Sequence, residues 1–236
     1  MQQHLLNSLG LILIPTTNYR HSEGLDGDGS LVEGFGYGLG FQRGGQGGGK
    51  QVPTGGEQLS PCLRDALREF FPQQTVHGDQ YSPVDDARFK SGIPFPTVGN
   101  IDAITLGLNI HYDPKRVSLN GGDSESLQTI VEEIAHTEQF LPVWANTQPS
   151  PKAVEYRGDF TVSHSQGVNS WVVHYAASAA KGFIKNGDSY KNDIEKGAKN
   201  KVFDILSPLT GRLRAEGKTD LCGYDILNIN LERPRY

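Results

Sequence analysis

The chain has 236 residues, 36% of them apolar and 21% charged, with a formal net charge of −5. That is enough for one domain with appendages, and it lacks the Lys/Arg excess by which proteins neutralise phosphates, so nucleic acid is excluded as the expected partner. The two cysteines, Cys62 and Cys222, are too few and too far apart to read as a disulfide framework or a cysteine-rich zinc knuckle.

Residues 1–23 form an N-terminal apolar segment. Its stretch Leu5 to Ile14 has no preceding Lys or Arg and no small-residue cleavage site after it, so it makes no convincing signal peptide. At a rise of about 1.5 Å per residue those ten residues cover roughly half a bilayer core, and no membrane span is expected. Residues 24–56 hold 14 glycines and read as a flexible linker. Within it, Asp26-Gly27-Asp28-Gly29 is only a fragment of a calcium loop, without the closing Glu. The remaining 57–236 read as the folded domain.

From Leu59, apolar residues recur through Leu63, Ala66, Leu67 and Phe70 at helical spacing, with Ser60-Pro61 as the start signal. Cys62 lies on that stripe and reads as a buried, inert thiol. Residues 72–100 read as an irregular connection with one short strand near Thr75 to His77. Ala103 to Leu106 and Leu108 to Tyr112, split at Gly107, read as two short strands or one bulged strand. A helix is expected from about Ser124, capped by Asp123 or Ser124, to Leu141, where Pro142 ends or kinks it. Beyond it come a strand at Phe160 to Ser163, a helix from about Val168 to Ile184, a more polar helix from about Tyr190 to Leu206, and a strand at Ile226 to Leu231. His174 reads as a core histidine and His111 as a packing residue on a strand, while Phe140, Trp144 and Trp171 read as core aromatics beside the central helix. His77 and His164 carry no signal.

One constellation carries chemistry. Side chains four apart on a helix share a face, which is how the pattern H-E-x-x-H presents two imidazoles to one zinc ion and places the intervening Glu as general base. Here the register is E-E-x-x-H. Glu132 stands at the first ligand position, Glu133 at the general-base position and His136 at the second ligand position, with Gln139 on the face of Glu132 and His136.

Together with the helix through Ala66 to Phe71, the segment Ile93-Pro94-Phe95, the glycine-centred pair Ala103 to Pro114, and Glu132 to Gln139, this order resembles a zinc-metallopeptidase-like domain of unknown function. That domain is associated with bacterial extracellular contractile injection systems and polymorphic toxins. The resemblance covers about 80 residues, from Leu59 through Phe140. It implies an α+β, zincin-like, helix-rich fold with a short β-hairpin or small sheet packed on the motif helix. It also implies zinc as the metal if any is held, and a third acidic ligand on a later helix. Carried over residue by residue, it makes His136 a ligand and Glu133 the base, whereas Glu132 departs from the family's imidazole. Aligning the later motif to Asp188 to Glu195 puts Lys191 or Asn192 near the acidic position, with Glu195 the nearest alternative as third ligand; with Lys191 there, an ammonium would pair with Glu132 in the metal's place.

The expectation is therefore a degenerate metallopeptidase-like module, catalytically silent and without bound zinc, of a bacterial secretion or injection system, engaging a protein partner or peptide. Its alternative is an active zinc peptidase with a Glu132/His136/Glu195 site and Glu133 as base. A toxin domain at the C-terminal end of a larger repeat protein is the third reading, with the glycine-rich stretch as its junction.

Overall fold

The computed structural model describes residues 50–94, 101–148 and 159–235. The apolar segment 1–23, the calcium-loop fragment and most of the glycine-rich stretch lie outside the described residues. Where that stretch ends, Lys50 Nζ meets Asp86 at 2.6 Å and the Gln51 carbonyl accepts from the Tyr81 hydroxyl at 3.0 Å.

Helix α1 spans Pro61–Leu67 and tightens into a 3-10 turn at Arg68–Phe70. Proline at its start gives up no needed hydrogen bond, and the Ser60 hydroxyl accepts from Leu63 N. The strand expected near Thr75 is one arm of a hairpin, β1 (Gln74–Val76) with β2 (Asp79–Tyr81). A four-residue helix α2 (Pro83–Asp86) leads to β3 (Arg88–Ser91). β4 (Ala103–Leu106) and β5 (Asn109–Tyr112) resolve the earlier ambiguity as two strands joined by Gly107-Leu108. Gly107 at φ +74 supplies the left-handed step that such a tight connection needs. The sheet runs β3-β5-β4, with β3 parallel and β4 antiparallel to β5.

Three long helices follow. α3 (Ser124–Ala145) is capped by Asp123, whose carboxylate accepts from Ser126 N at 2.7 Å, and it passes through Pro142 by one turn. α4 covers Asp159–Asn186, which corrects the expected strand at Phe160 to Ser163. Local β-propensity there yields to burial of Val162, Ser163 and His164 against α3, where Trp144 Nε1 donates to Ser163 Oγ at 2.8 Å. α5 covers Asp193–Ala215, starting at the Asn192 cap and continuing past Pro208 because Leu209, Thr210 and Leu213 stay on the buried stripe. The last pair, β6 (Asp220–Leu221) and β7 (Tyr224–Asp225), replaces the strand expected at Ile226 to Leu231, which is not in a strand. Ile226 is buried, and its backbone N–H goes to the Thr219 carbonyl while its own carbonyl accepts from Arg214.

The architecture is α+β. One core joins α1, the sheet, α3 and α5 through Leu63, Leu67, Phe89, Ile110, Ile130, Ile134, Val202 and Leu206. A second lies on the other side of α3 around Phe140, Trp144, Trp171 and Ile194, as expected of those aromatics. His174, by contrast, is exposed rather than part of the core, because α4 turns that face outward. Cys62 and Cys222 form a disulfide with Cα atoms 5.8 Å apart, fastening α1 to the β6-β7 hairpin across 160 residues of chain. This overturns the reading of Cys62 as a buried thiol, and Cys62 itself is exposed. No helix among the described residues is long and apolar enough to cross a membrane.

Candidate metal centre

Helical spacing places Glu132 and His136 one turn apart on α3, on the side that faces α5. On α5, Asn192 caps the first turn with its side chain accepting from both Ile194 N and Glu195 N, which brings Glu195 into the interior. One ligand atom from each of Glu132, His136 and Glu195 lies within 4.8 Å of the other two. His136 and Glu195 are both 7% exposed.

The hydrogen bonds fix which atom of His136 faces this cluster. Gln139 Nε2 donates to the Ile194 carbonyl at 3.1 Å, so Gln139 Oε1 is the atom that meets His136 Nδ1 at 3.0 Å. An oxygen only accepts, so Nδ1 carries the proton and a neutral His136 has a bare lone pair on Nε2. That Nε2 points at Glu195 Oε1, 3.6 Å away. Two donors about 2.1 Å from a tetrahedral zinc are separated by about 3.4 Å, so this spacing suits a shared ion. Burial pushes the His136 value down, against the raising effect of Glu195, and so favours the neutral form that binds metals.

Glu195 is oriented in turn. The Tyr175 hydroxyl, from α4, donates to Glu195 Oε1 at 2.5 Å, and burial beside that carboxylate drives the phenol far above its ordinary value. Gly197 is the close-approach residue between α3 and α5. A Cβ there would sit 2.7 Å from Gln139 Nε2 and push away the amide that orients His136.

Glu133 lies on the neighbouring face, toward the sheet, with its carboxylate Oε2 2.6 Å from the Thr105 hydroxyl on β4. Burial pushes Glu133 up to about 8, against the lowering effect of Thr105, and Glu132 and Glu195 raise it further. Glu132 is pushed up to about 7, again chiefly by burial, with Lys199 opposing. A divalent cation would be the largest charge in this cluster and would reverse that direction for its carboxylates.

The turn between β4 and β5 is itself held from α4. His164, fully buried and pushed down to about 3 by desolvation, is neutral and accepts the Leu108 N–H at 3.2 Å through Nε2. The same Nε2 would be 2.8 Å from a Cβ on Gly107. Sequence reasoning found no role for His164 because only the docked helix reveals its partner.

Lys191, weighed as the ammonium that would replace a metal, is exposed at the approach to α5, and among the described residues no ion pair joins it to Glu132. Glu195, four residues on, is the side chain that lies with Glu132 and His136. Tyr175 and Gly197 were not singled out from the sequence; neither follows a spacing rule, and both act across helix–helix contacts.

Compared with known families, curated proteins and solved structures, the chain finds no match. The Glu132/His136/Glu195 group could hold a metal ion.

Proposed function

We propose that this chain is a zincin-like metal-dependent peptidase domain in which Glu132, His136 and Glu195 hold zinc and Glu133 acts as general base. The observation that carries the reading is the bare Nε2 of His136, fixed by Gln139 and aimed at Glu195 Oε1 across 3.6 Å. A nitrogen and two carboxylates are a donor set zinc accepts, and the surrounding Gln139 and Tyr175 contacts are the outer partners that orient metal ligands. Zinc held there would polarise a substrate carbonyl and ease deprotonation of water.

The residues then have separable tasks. Gln139 keeps the proton of His136 on Nδ1, away from the cluster. Tyr175 holds one oxygen of Glu195 and helps to close the site to bulk water. In hydrolysis the oxygen of water bonds to the scissile carbonyl carbon and the carbon–nitrogen bond breaks. Glu133 takes the proton from the water and passes it to the leaving nitrogen.

The full-length protein with one equivalent of zinc should cleave an unfolded protein in a chelator-sensitive way, with at least a hundredfold loss on Glu133→Gln. Absence of cleavage by a zinc-loaded protein would overturn the catalytic part of the proposal. One observation favours a second reading, a binding module without turnover that engages a protein partner, as in a secretion or injection system: Glu133 is engaged by Thr105. Under that reading Glu133→Gln changes nothing measurable about partner or metal binding.

A further inference from the structure

A cavity of about 320 Å³ opens beside Glu132, between α3, α5 and the chain after the β6-β7 hairpin. Its size is at the small end of the roughly 300–1,000 Å³ typical of ligand pockets. Val202, Phe203 and Leu231 supply apolar wall, and Glu132 is the edge it shares with the candidate metal centre. Gln128 and Lys199 are its remaining helix-borne polar groups, while Asn230 and Glu232 lie at the exposed rim.

Position along the helices ties the pocket to the site. Gln128 precedes Glu132 by four residues and Lys199 follows Glu195 by four, so each is about 6 Å farther along its helix. Lys199 makes no ion pair within 4 Å among the described residues and acts on Glu132 only through space. The outer wall is fastened: Arg233 pairs with Asp204 and lies over the Phe203 ring at 4.6 Å, and Arg214 donates to the Ile226 and Leu227 carbonyls.

We infer that this cavity receives the last residue of a peptide, with an apolar side chain against Phe203 and Leu231 and the free carboxylate at Lys199 and Gln128. The inference rests on the proposed metal-dependent reading and adds its substrate class. An extended peptide advances about 3.5 Å per residue, so a carbonyl placed at the cluster is one or two residues from a carboxylate at Lys199. The lysine is the cationic partner such a terminus needs, and a carboxylate–ammonium hydrogen bond is charge-assisted. With a divalent cation offsetting Glu132 and Glu195, Glu232 is the acid left at the exposed rim, where solvent screens it.

The test uses the full-length protein and two probes, N-acetylphenylalanine and its C-terminal amide, titrated calorimetrically with and without one equivalent of zinc. The acid should bind at least tenfold tighter than the amide in the presence of zinc. Lys199→Met should abolish that preference while zinc alone still binds, and Lys199→Arg should restore most of it. Equal binding of acid and amide, binding of neither, or a preference that survives Lys199→Met would overturn the inference even if zinc binds. A protein that takes up no zinc yet still prefers the acid through Lys199 would instead overturn the metal-dependent reading and leave the pocket assignment intact.

Discussion

Gln139→Leu separates the orientation of His136 from its presence. The wild-type amide spans two contacts, Nε2 to the Ile194 carbonyl at 3.1 Å and Oε1 to His136 Nδ1 at 3.0 Å. Leucine keeps the bulk and removes both, leaving the Nδ1 proton without its acceptor and the imidazole free to rotate or to change tautomer. Loss of an outer partner of this kind costs about 10- to 100-fold in metal affinity, equivalent to about 1.4–2.7 kcal/mol. Gln139→Glu retains an acceptor for Nδ1 and should bind zinc more tightly than the leucine variant. Gly197→Ala, whose Cβ would meet Nε2 at 2.7 Å, should weaken zinc by displacing the same amide without touching it chemically. The assay is competition against a zinc-chelating dye, with thermal unfolding of the metal-free proteins as the control for folding. If the wild type binds zinc and Gln139→Leu binds it equally well, the reasoning about the tautomer is refuted.

Three further outcomes are expected. Replacing Cys62 and Cys222 by serine should lower stability in denaturant titrations by about 2–4 kcal/mol, beneath the ceiling of about 5 kcal/mol that loop-closure entropy sets for a 160-residue separation; an unchanged midpoint would contradict the cross-link. For pH, Glu132 and Glu133 sit at about 7 and 8 in the fold against about 4.5 unfolded, so the folded state binds more protons between those values. Below about 6.5 the buried, uncharged His136 and His164 oppose this, because folding strips a proton from each. The metal-free protein should therefore lose stability as pH rises from about 6.5 to about 8, while the gain in Tm on adding zinc grows over the same window, because the ligand must shed its proton to bind. A metal-free Tm that rises through that window would be evidence against the buried carboxyls. His164→Ala should destabilise the protein by at least about 1–3 kcal/mol, since the Leu108 N–H is left buried without its acceptor; hydrogen exchange at Leu108 reads this directly, and unchanged protection there would count against the contact.

The parts of this molecule legible in its sequence were those fixed by local periodicity. The spacing of Leu127, Ile130, Val131 and Ile134 set the register of α3, and that register alone put Glu132 and His136 on one face and Glu133 on the next. Ser60-Pro61 marked the start of α1 and Gly107 the break between β4 and β5 for equally local reasons. What depended on tertiary contact was not legible. The choice between Lys191 and Glu195 turns on a four-residue offset that only the Asn192 cap and the packing of α5 against α3 decide. Phe160 to Ser163 has strand-like residues and lies in a helix, because Ser163 and His164 are recruited by Trp144 and Leu108. Cys62 and Cys222 carry no spacing information across 160 residues, and pairing them requires knowing that the last hairpin returns to α1.

Metal uptake between α3 and α5 is the decisive property of this protein. Elemental analysis and zinc titration of the full-length protein, alongside His136→Ala and Glu195→Gln, should give one zinc per chain in the wild type and a loss of at least tenfold in affinity in each variant. A wild-type protein that takes up no zinc, or variants that hold it as tightly as the parent, would contradict the central claim.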